Sequence, residues 1–323
     1  MFQSVALLNR CKNRPSRKLH NPSGFCLPVL RLGLVALLGT GFFWPGASPG
    51  NAASPVHTLK ISTWNMDWLL DEQAQNAPDV PSDIPHRTTD DFTALATYAQ
   101  RLRPDLIGLQ EVGNTATLAR LFSAQDYQLF VSNDDSPQHT AFAARRGLSI
   151  QRNPDVTALA LNATTTRHRL RSGLDISLHA GSTDLRILVV HLKTGCWDNP
   201  VSETRYACPV LFQQFRALRD WLEQRAKSAE PFAIIGDFNR RMTLADPLFL
   251  RLNEVTPLAL VAAGQASPCL NGSYFIDHIL LGGGAQKWED PNSLRVMTIP
   301  QDGTRTLSDH CPVSVILHLP PTP

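Results

Sequence analysis

Apolar and polar residues alternate along much of the chain with a period of two. In VSVILHL, at 313–319, the residues Val313, Val315, Leu317 and Leu319 share one face, the pattern of a strand with that face in a core. Similar runs at 59–64, 106–110, 127–131, 148–150, 156–161, 174–179, 185–192, 232–236 and 274–281 predict further strands. RILVVHL and FAIIGDF are nearly all apolar, as central strands covered on both faces are. Between these runs the period lengthens and predicts helices. One covers 90–102, with Phe92, Leu95, Ala96, Ala99 and Leu102 on a single face; another carries Leu211, Phe215, Leu218 and Leu222 and runs to Lys227. Leu118, Leu121 and Phe122 mark a shorter one. The stretch 71–89 holds three prolines and many polar residues and reads as a long surface loop. Strands with segregated helices predict one layered α/β domain rich in antiparallel sheet.

Composition adds a boundary. The chain is 43% hydrophobic and 18% charged, which supplies a core of ordinary size. Its start differs from the rest: Arg10, Lys12, Arg14, Arg17, Lys18 and Arg31 are basic, and no acidic residue precedes Asp67. Thirteen residues, Leu32 to Trp44, form an apolar run, short of the roughly 20 that span a bilayer. GASPGNAAS follows. A basic start, a short apolar run and small residues predict a secretory signal over 1–52, a mature domain over 53–323, and export to the periplasm or the exterior. The alternative is an uncleaved N-terminal anchor.

Loss of 1–52 changes the charge. It removes six of 30 Lys+Arg and none of 28 Asp+Glu, taking a net +2 to a net −4. The bulk charge therefore lacks the basic balance of many nucleic-acid binders. Arginines cluster locally at Arg145/Arg146, Arg167/Arg169/Arg171 and Arg240/Arg241; the middle group reads as solvated surface. Cys196, Cys208, Cys269 and Cys311 remain of six cysteines. An even count after export fits disulfides, and four cysteines allow three connectivities. The short loop favours 196–208, which leaves 269–311; four free thiols are the alternative. A zinc site is disfavoured because no CxxC occurs.

The strand-like runs share an oddity at their ends. Asn65 follows KISTW, Glu111 follows DLIGLQ, His191 follows RILVV, Asp237 and Asn239 follow AIIG, Asp277 follows YFI, and Asp309 with His310 precede the last strand. One polar residue where a strand leaves the core is ordinary; six such places with metal-binding or proton-moving side chains are not. Desolvated carboxylates and imidazoles need partners, and converging strand ends would supply them. Asn, Asp and Glu suit Mg²⁺, Mn²⁺ or Ca²⁺. A His oriented by a carboxylate can take a proton from water. The set points to phosphoester hydrolysis by direct attack of water.

TWNM at 63–66, LQEV at 109–112, HLK at 191–193, GDFN at 236–239, IDHI at 276–279 and SDHCPV at 308–313 follow in this order. Together they resemble the endonuclease/exonuclease/phosphatase superfamily, the DNase I-like group, over residues 58 to 319. The resemblance implies a four-layer α/β/β/α sandwich, two packed and mostly antiparallel sheets flanked by helices. It implies Glu111 as principal metal ligand, with Asn65 and Asp309 beside it, and Mg²⁺, Mn²⁺ or Ca²⁺ as the cofactor. Asp277 would orient His310 as general base. Asp237 and Asn239 would place water and phosphate, and His191 would donate to a phosphate oxygen. Lys193, Arg240 and Arg146 (or Arg145) are the candidate phosphate cations, whereas His278 and Lys60 read as structural or peripheral. The expected substrate is nucleic acid, cut by an exported nuclease. Alternatives are a sphingomyelinase-like phospholipid phosphodiesterase, a phosphomonoesterase of small phosphate esters, and a non-catalytic binding protein. No stable protein partner is indicated.

Overall fold

The computed structural model describes residues 58–320 apart from 79, 162–168, 182 and 300–306. The predicted signal segment and Arg167 lie outside the described residues. The strands in chain order are β1 (Thr58–Leu69), β2 (Leu106–Val112), β3 (Tyr127–Val131), β4 (His139–Arg145), β5 (Ser149–Arg152), β6 (Leu174–Ala180), β7 (Thr183–His191), β8 (Phe232–Asp237), β9 (Ala259–Leu260), β10 (Asp277–Gly282), β11 (Arg295–Val296) and β12 (Val313–His318). The helices are α1 (Glu72–Gln75), α2 (Thr89–Leu102), α3 (Thr115–Ala119), α4 (Cys208–Ser228) and α5 (Pro247–Asn253).

Two six-stranded sheets form, in the orders β11-β12-β1-β2-β4-β3 and β5-β6-β7-β8-β10-β9. Only β1–β2 and β7–β8 pair in parallel among them. The period of two explains the layers. Leu59 and Ile61 of β1 face Ile187 and Val189 of β7, Ile235 of β8 and Ile279 of β10 in the core between the sheets. The intervening Leu188, Val190 and Ile234 face outward and pack under α4 and α5. Trp64, Ile107 and Leu109 pack under α2 and α3. Central strands are covered on both faces, which is why their sequences are nearly all apolar. Helices α2 and α4 begin differently: Thr88 caps α2 in a reciprocal box with Asp91, while Pro209 opens the first turn of α4.

Three local expectations change. The run 156–161 is a 3₁₀ turn, Thr157–Leu159, joined to the sheet by a single bridge at Val156. A short apolar run cannot by itself distinguish a strand from a helical turn. Strand β4, HTAFAAR, was not expected, because alanine is a weak strand former; it forms because it is buried between β2 and β3. The stretch 71–89 is not wholly a surface loop: it contains α1 and the first residue of α2, Gln75, Ile84 and Arg87 are buried, and Gln75 Nε2 donates to Leu70 O and Arg87 O.

Candidate active site

Parallel β1 and β2 end where antiparallel β12 begins, and parallel β7 and β8 end where β10 begins. All six polar ends therefore arrive at one edge of the sandwich. His191 and Asp277 both stand opposite Asp237 in the register. Asn65, His191, Asp237 and Asp277 continue the inward-facing series set by Ile61, Val189, Ile235 and Ile279, so the core between the sheets ends in a polar rung.

Glu111 breaks this parity. Leu109 faces the outer helices, so two residues on Glu111 would face outward as well. A left-handed φ of +62° at Glu111, at a register shift in β2, turns the carboxylate into the cleft instead. Such a backbone is uncommon for a non-glycine residue and persists where the surroundings enforce it. Gly236 has the matching constraint on β8: its φ is +144°, and a Cβ there would stand 2.0 Å from Val190 O. Only glycine lets β8 lie this close to β7 just before Asp237.

The side chains interlock. Asn65 Nδ2 donates to Glu111 Oε1 and to Asp237 Oδ2, each at 3.1 Å. Glu111 Oε2 accepts from Gln138 Nε2 at 2.6 Å and from Trp68 N at 3.1 Å. Asp237 Oδ1 accepts from Asn239 N at 2.8 Å. Asn239 Nδ2 donates to Asp237 Oδ2 and Leu192 O, both at 3.0 Å. His310 Nδ1 lies 2.7 Å from Asp277 Oδ2, leaving Nε2 facing the cleft 3.8 Å from Asp309 Oδ1 and 3.9 Å from Asp237 Oδ2. Ser308 ties this corner together: its Oγ donates to Asn65 O at 2.8 Å and accepts from His310 N at 3.0 Å.

The electrostatics follow from crowding these groups out of water. Burial, reinforced by Asp277, pushes the Asp237 carboxyl up to about 7 against the pull of His310. Burial and Asp309 push Asp67 up to about 6 despite its ion pair with Arg87. Burial opposes charge on His310, but Asp277, Asp237 and Asp309 outweigh it and hold the imidazole well above its ordinary value. His191 goes the other way, driven well below by burial and then by Arg171. Its Nε2 stands 3.6 Å from Glu111 Oε1 and 3.7 Å from Asp237 Oδ2; being neutral, His191 is a polar neighbour of these carboxylates and not an ion-pair partner.

The cleft measures about 590 Å³ and is lined by Glu111, His191, Lys193, Asp237, Asn239, Asp309 and His310, joined by Asp67, Trp68, Gln138 and Arg171. Sequence reasoning missed the last four. Arg171 reaches the cleft through topology: β6 runs antiparallel to β7, so residues just before β6 lie beside the end of β7. Arg171 hydrogen-bonds Gln138 Oε1, and burial lowers the pKa of its guanidinium. It is not the solvated surface expected of its cluster.

Two expected phosphate cations are elsewhere. Arg240 is buried with Nε and Nη2 on Asp246 Oδ2 at 2.9 and 2.7 Å, and Nη1 on Cys196 O and Asn199 O. With those donors engaged it faces away from the cleft and holds two loops together. Arg146 donates to Ala124 O, and Arg145 pairs with Asp105. Both sit at the far end of β4, since β4 runs antiparallel to β2. His278 packs on Phe238 and contacts Arg240 O, and Lys60 donates to Leu102 O; both are structural, as expected. The cysteines pair 196–208 and 269–311.

A hard divalent cation fits this donor set. Ligand atoms of Asp237, Asp277 and His310 lie within 4.8 Å of one another. Asp277 and His310 are bonded to each other, however, and that contact engages the facing atoms of both. Oxygens of Glu111 and Asp309 line the same cleft, with the Asn65 amide between Glu111 and Asp237.

A carboxylate-rich cleft with an Asp–His dyad, at the polar end of two stacked sheets, is the equipment of a phosphoesterase. Residues 62–310 match the Endonuclease/Exonuclease/phosphatase family, and the chain belongs to it. It is a hydrolase of phosphate ester bonds. No curated protein matches the chain in sequence. Among solved structures it resembles truncated Caenorhabditis elegans TDP2 (TM-score 0.54, 16% identity, covering 81% of this chain and 98% of that one). It also resembles the Leishmania major AP endonuclease LMAP (0.53, 14%, 83% and 90%). A third likeness is to the 3′ phosphatase NExo from Neisseria, bound to a product DNA hairpin (0.51, 16%, 80% and 98%). These likenesses show the α/β/β/α sandwich expected from the sequence.

Proposed function

We propose that the protein is an exported, divalent-metal-dependent phosphodiesterase that cuts nucleic acid, with Mg²⁺ or Mn²⁺ held by Glu111, Asn65 and Asp309. One observation carries the reading: the His310–Asp277 pair at 2.7 Å and the Glu111–Asn65–Asp237 chain open on the same cleft. Asp277 accepts from His310 Nδ1–H and fixes the tautomer whose Nε2 faces the cleft. His310 Nε2 takes the proton of the attacking water, which Asp237 and Asn239 position. Arg171, Lys193 and neutral His191 line the wall where phosphate oxygens would lie. A bound cation would offset the carboxylates that raise the His310 pKa, leaving Nε2 free to accept a proton, and would stabilise charge on the phosphate and the leaving oxygen.

Nucleic acid is favoured by the cations on the cleft wall, and by the DNA products bound to Danio rerio TDP2 and to NExo. Export is supported by the basic, apolar and small-residue order of 1–52 and by two disulfides, which persist in oxidising compartments. The test is turnover of purified 53–323 on plasmid DNA, RNA, sphingomyelin vesicles and 4-nitrophenyl phosphate, with Mg²⁺ and with EDTA. Metal-dependent cutting of DNA or RNA is expected; turnover confined to sphingomyelin or the monoester would refute the nuclease assignment.

A further inference from the structure

The loop between β7 and α4 raises a problem that the cleft does not answer. Its backbone is fastened at Cys196, Trp197 and Asn199. Cys196 is bonded to Cys208 at the start of α4. Buried Arg240 donates to Cys196 O at 3.1 Å and to Asn199 O at 2.7 Å, itself locked by Asp246. Arg241 N donates to Trp197 O at 3.1 Å. Yet the side chain these anchors present, Trp197, is 42% exposed. Large aromatic side chains stabilise a fold by burial, so a rigidly held and exposed indole does little for this one. Its location is informative. Trp197 lies three residues beyond cleft-lining Thr194, and Arg241 lies two beyond cleft-lining Asn239. The Arg241 guanidinium stands 6.0 Å from the indole centroid and pairs with Asp198.

Resting on the nucleic-acid reading above, we infer that Trp197, with Arg241 beside it, is a stacking subsite for an unpaired nucleobase of the strand whose phosphate lies in the cleft. A base has a π-face whatever its identity, so such a platform selects for single-stranded or unstacked substrate and not for sequence. Fixing the loop in advance removes the ordering cost of binding. A bilayer contact would need an apolar face, whereas Trp197 is flanked by exposed Asp198 in its ion pair with Arg241. The charge complements a strand of phosphates through Arg241, Lys193 and Arg171.

The experiment compares two fluorescently labelled decamers, oligo-dT and its fully abasic tetrahydrofuran analogue, by Kd in EDTA and by kcat and KM in Mg²⁺. It uses wild type, Trp197→Ala and Trp197→Phe. Wild type is expected to bind oligo-dT at least about fivefold more tightly than the abasic strand. Trp197→Ala should erase that difference by raising KM for oligo-dT while leaving kcat, and all values for the abasic strand, unchanged; Trp197→Phe should restore most of it. Equal binding of both strands by wild type, with both cut, overturns the subsite and leaves the nuclease reading intact. An equal loss on both strands in Trp197→Ala shows a structural role and also overturns the subsite. Failure of wild type to bind or cut either strand sinks the nuclease reading and the subsite with it. Weaker binding of Trp197→Ala to sphingomyelin vesicles, with oligonucleotide values unchanged, assigns the indole to lipid and overturns the base platform.

Discussion

Glu111 holds its place in the cleft through a backbone conformation that the strand around it does not share. Trp68 N and Gln138 Nε2 both donate to Oε2, and Asn65 to Oε1, so the carboxylate is fixed before any substrate arrives. Gln in its place keeps the shape and loses the charge. Glu111→Gln is therefore expected to fold and to need at least about tenfold more Mg²⁺ for half-maximal activity, from the loss of one anionic ligand; an unchanged Mg²⁺ titration would remove Glu111 from the metal. The raised pKa values of Asp67, Asp237 and His310 also set the pH dependence of the metal-free protein. A raised folded pKa means that the folded state binds its proton more tightly than the unfolded chain. Stability is then present below the unfolded pKa and lost as pH rises through the folded one. For Asp67 and Asp237 that window opens near the ordinary carboxylate value and closes at about 6 and about 7; for His310 it continues upward from the ordinary histidine value. Burial lowers the pKa of His139, His191 and His278, which adds stability as pH rises toward the ordinary histidine value and opposes the two carboxyls there. The melting temperature in EDTA should therefore fall from pH 6.5 to pH 8, where Asp237 and His310 lose their protons, and Mg²⁺ should reduce that fall. A flat profile in EDTA would contradict the crowded, buried site.

Elements deliver these residues by parity and direction. Parallel pairs finish where antiparallel neighbours start, and the inward series of each strand ends in a polar group. This much was legible in the sequence, because apolar runs closing in Asn65, Glu111, His191 and Asp237 state both the strand and its end; Asp277 instead opens β10, so the strand expected over 274–281 starts at 277. The arginines were not legible. A long side chain at a strand or loop end goes where a partner waits, and Asp246 captures Arg240 while Ala124 O captures Arg146. Arg171 stayed hidden because its relevance depends on the antiparallel pairing of β6 with β7, which no local pattern states. Strand β4 was hidden by its alanines, whose place is set by neighbours and not by propensity. A close element contact is at Gly236. A methyl group there meets Val190 O with φ already positive, so Gly236→Ala should destabilise the domain by at least about 2 kcal/mol. Denaturant unfolding with an unchanged midpoint would show that β7 and β8 are not this close.

At the scale of the whole molecule, two sheets share one core and present its polar end as the cleft, with helices completing the outer layers. The two disulfides act on this scale by restricting the unfolded chain, one closing a separation of 12 residues and the other of 42. The longer one ties 269 to 311, next to His310, so it also steadies the segment that carries the proposed base. Reduction should lower stability by about 2–4 kcal/mol per bond, read as a drop in melting temperature; an unchanged melting temperature would mean that the bridges are not formed in the native protein. Every functional assignment rests on one arrangement, a base and a metal cradle meeting over a phosphate. Turnover of His310→Ala at saturating Mg²⁺, on whichever ester the wild type cuts fastest, tests it most directly. The expected result is a kcat reduced by about 10²–10⁴ with folding and Mg²⁺ affinity retained; wild-type turnover from that variant would contradict it.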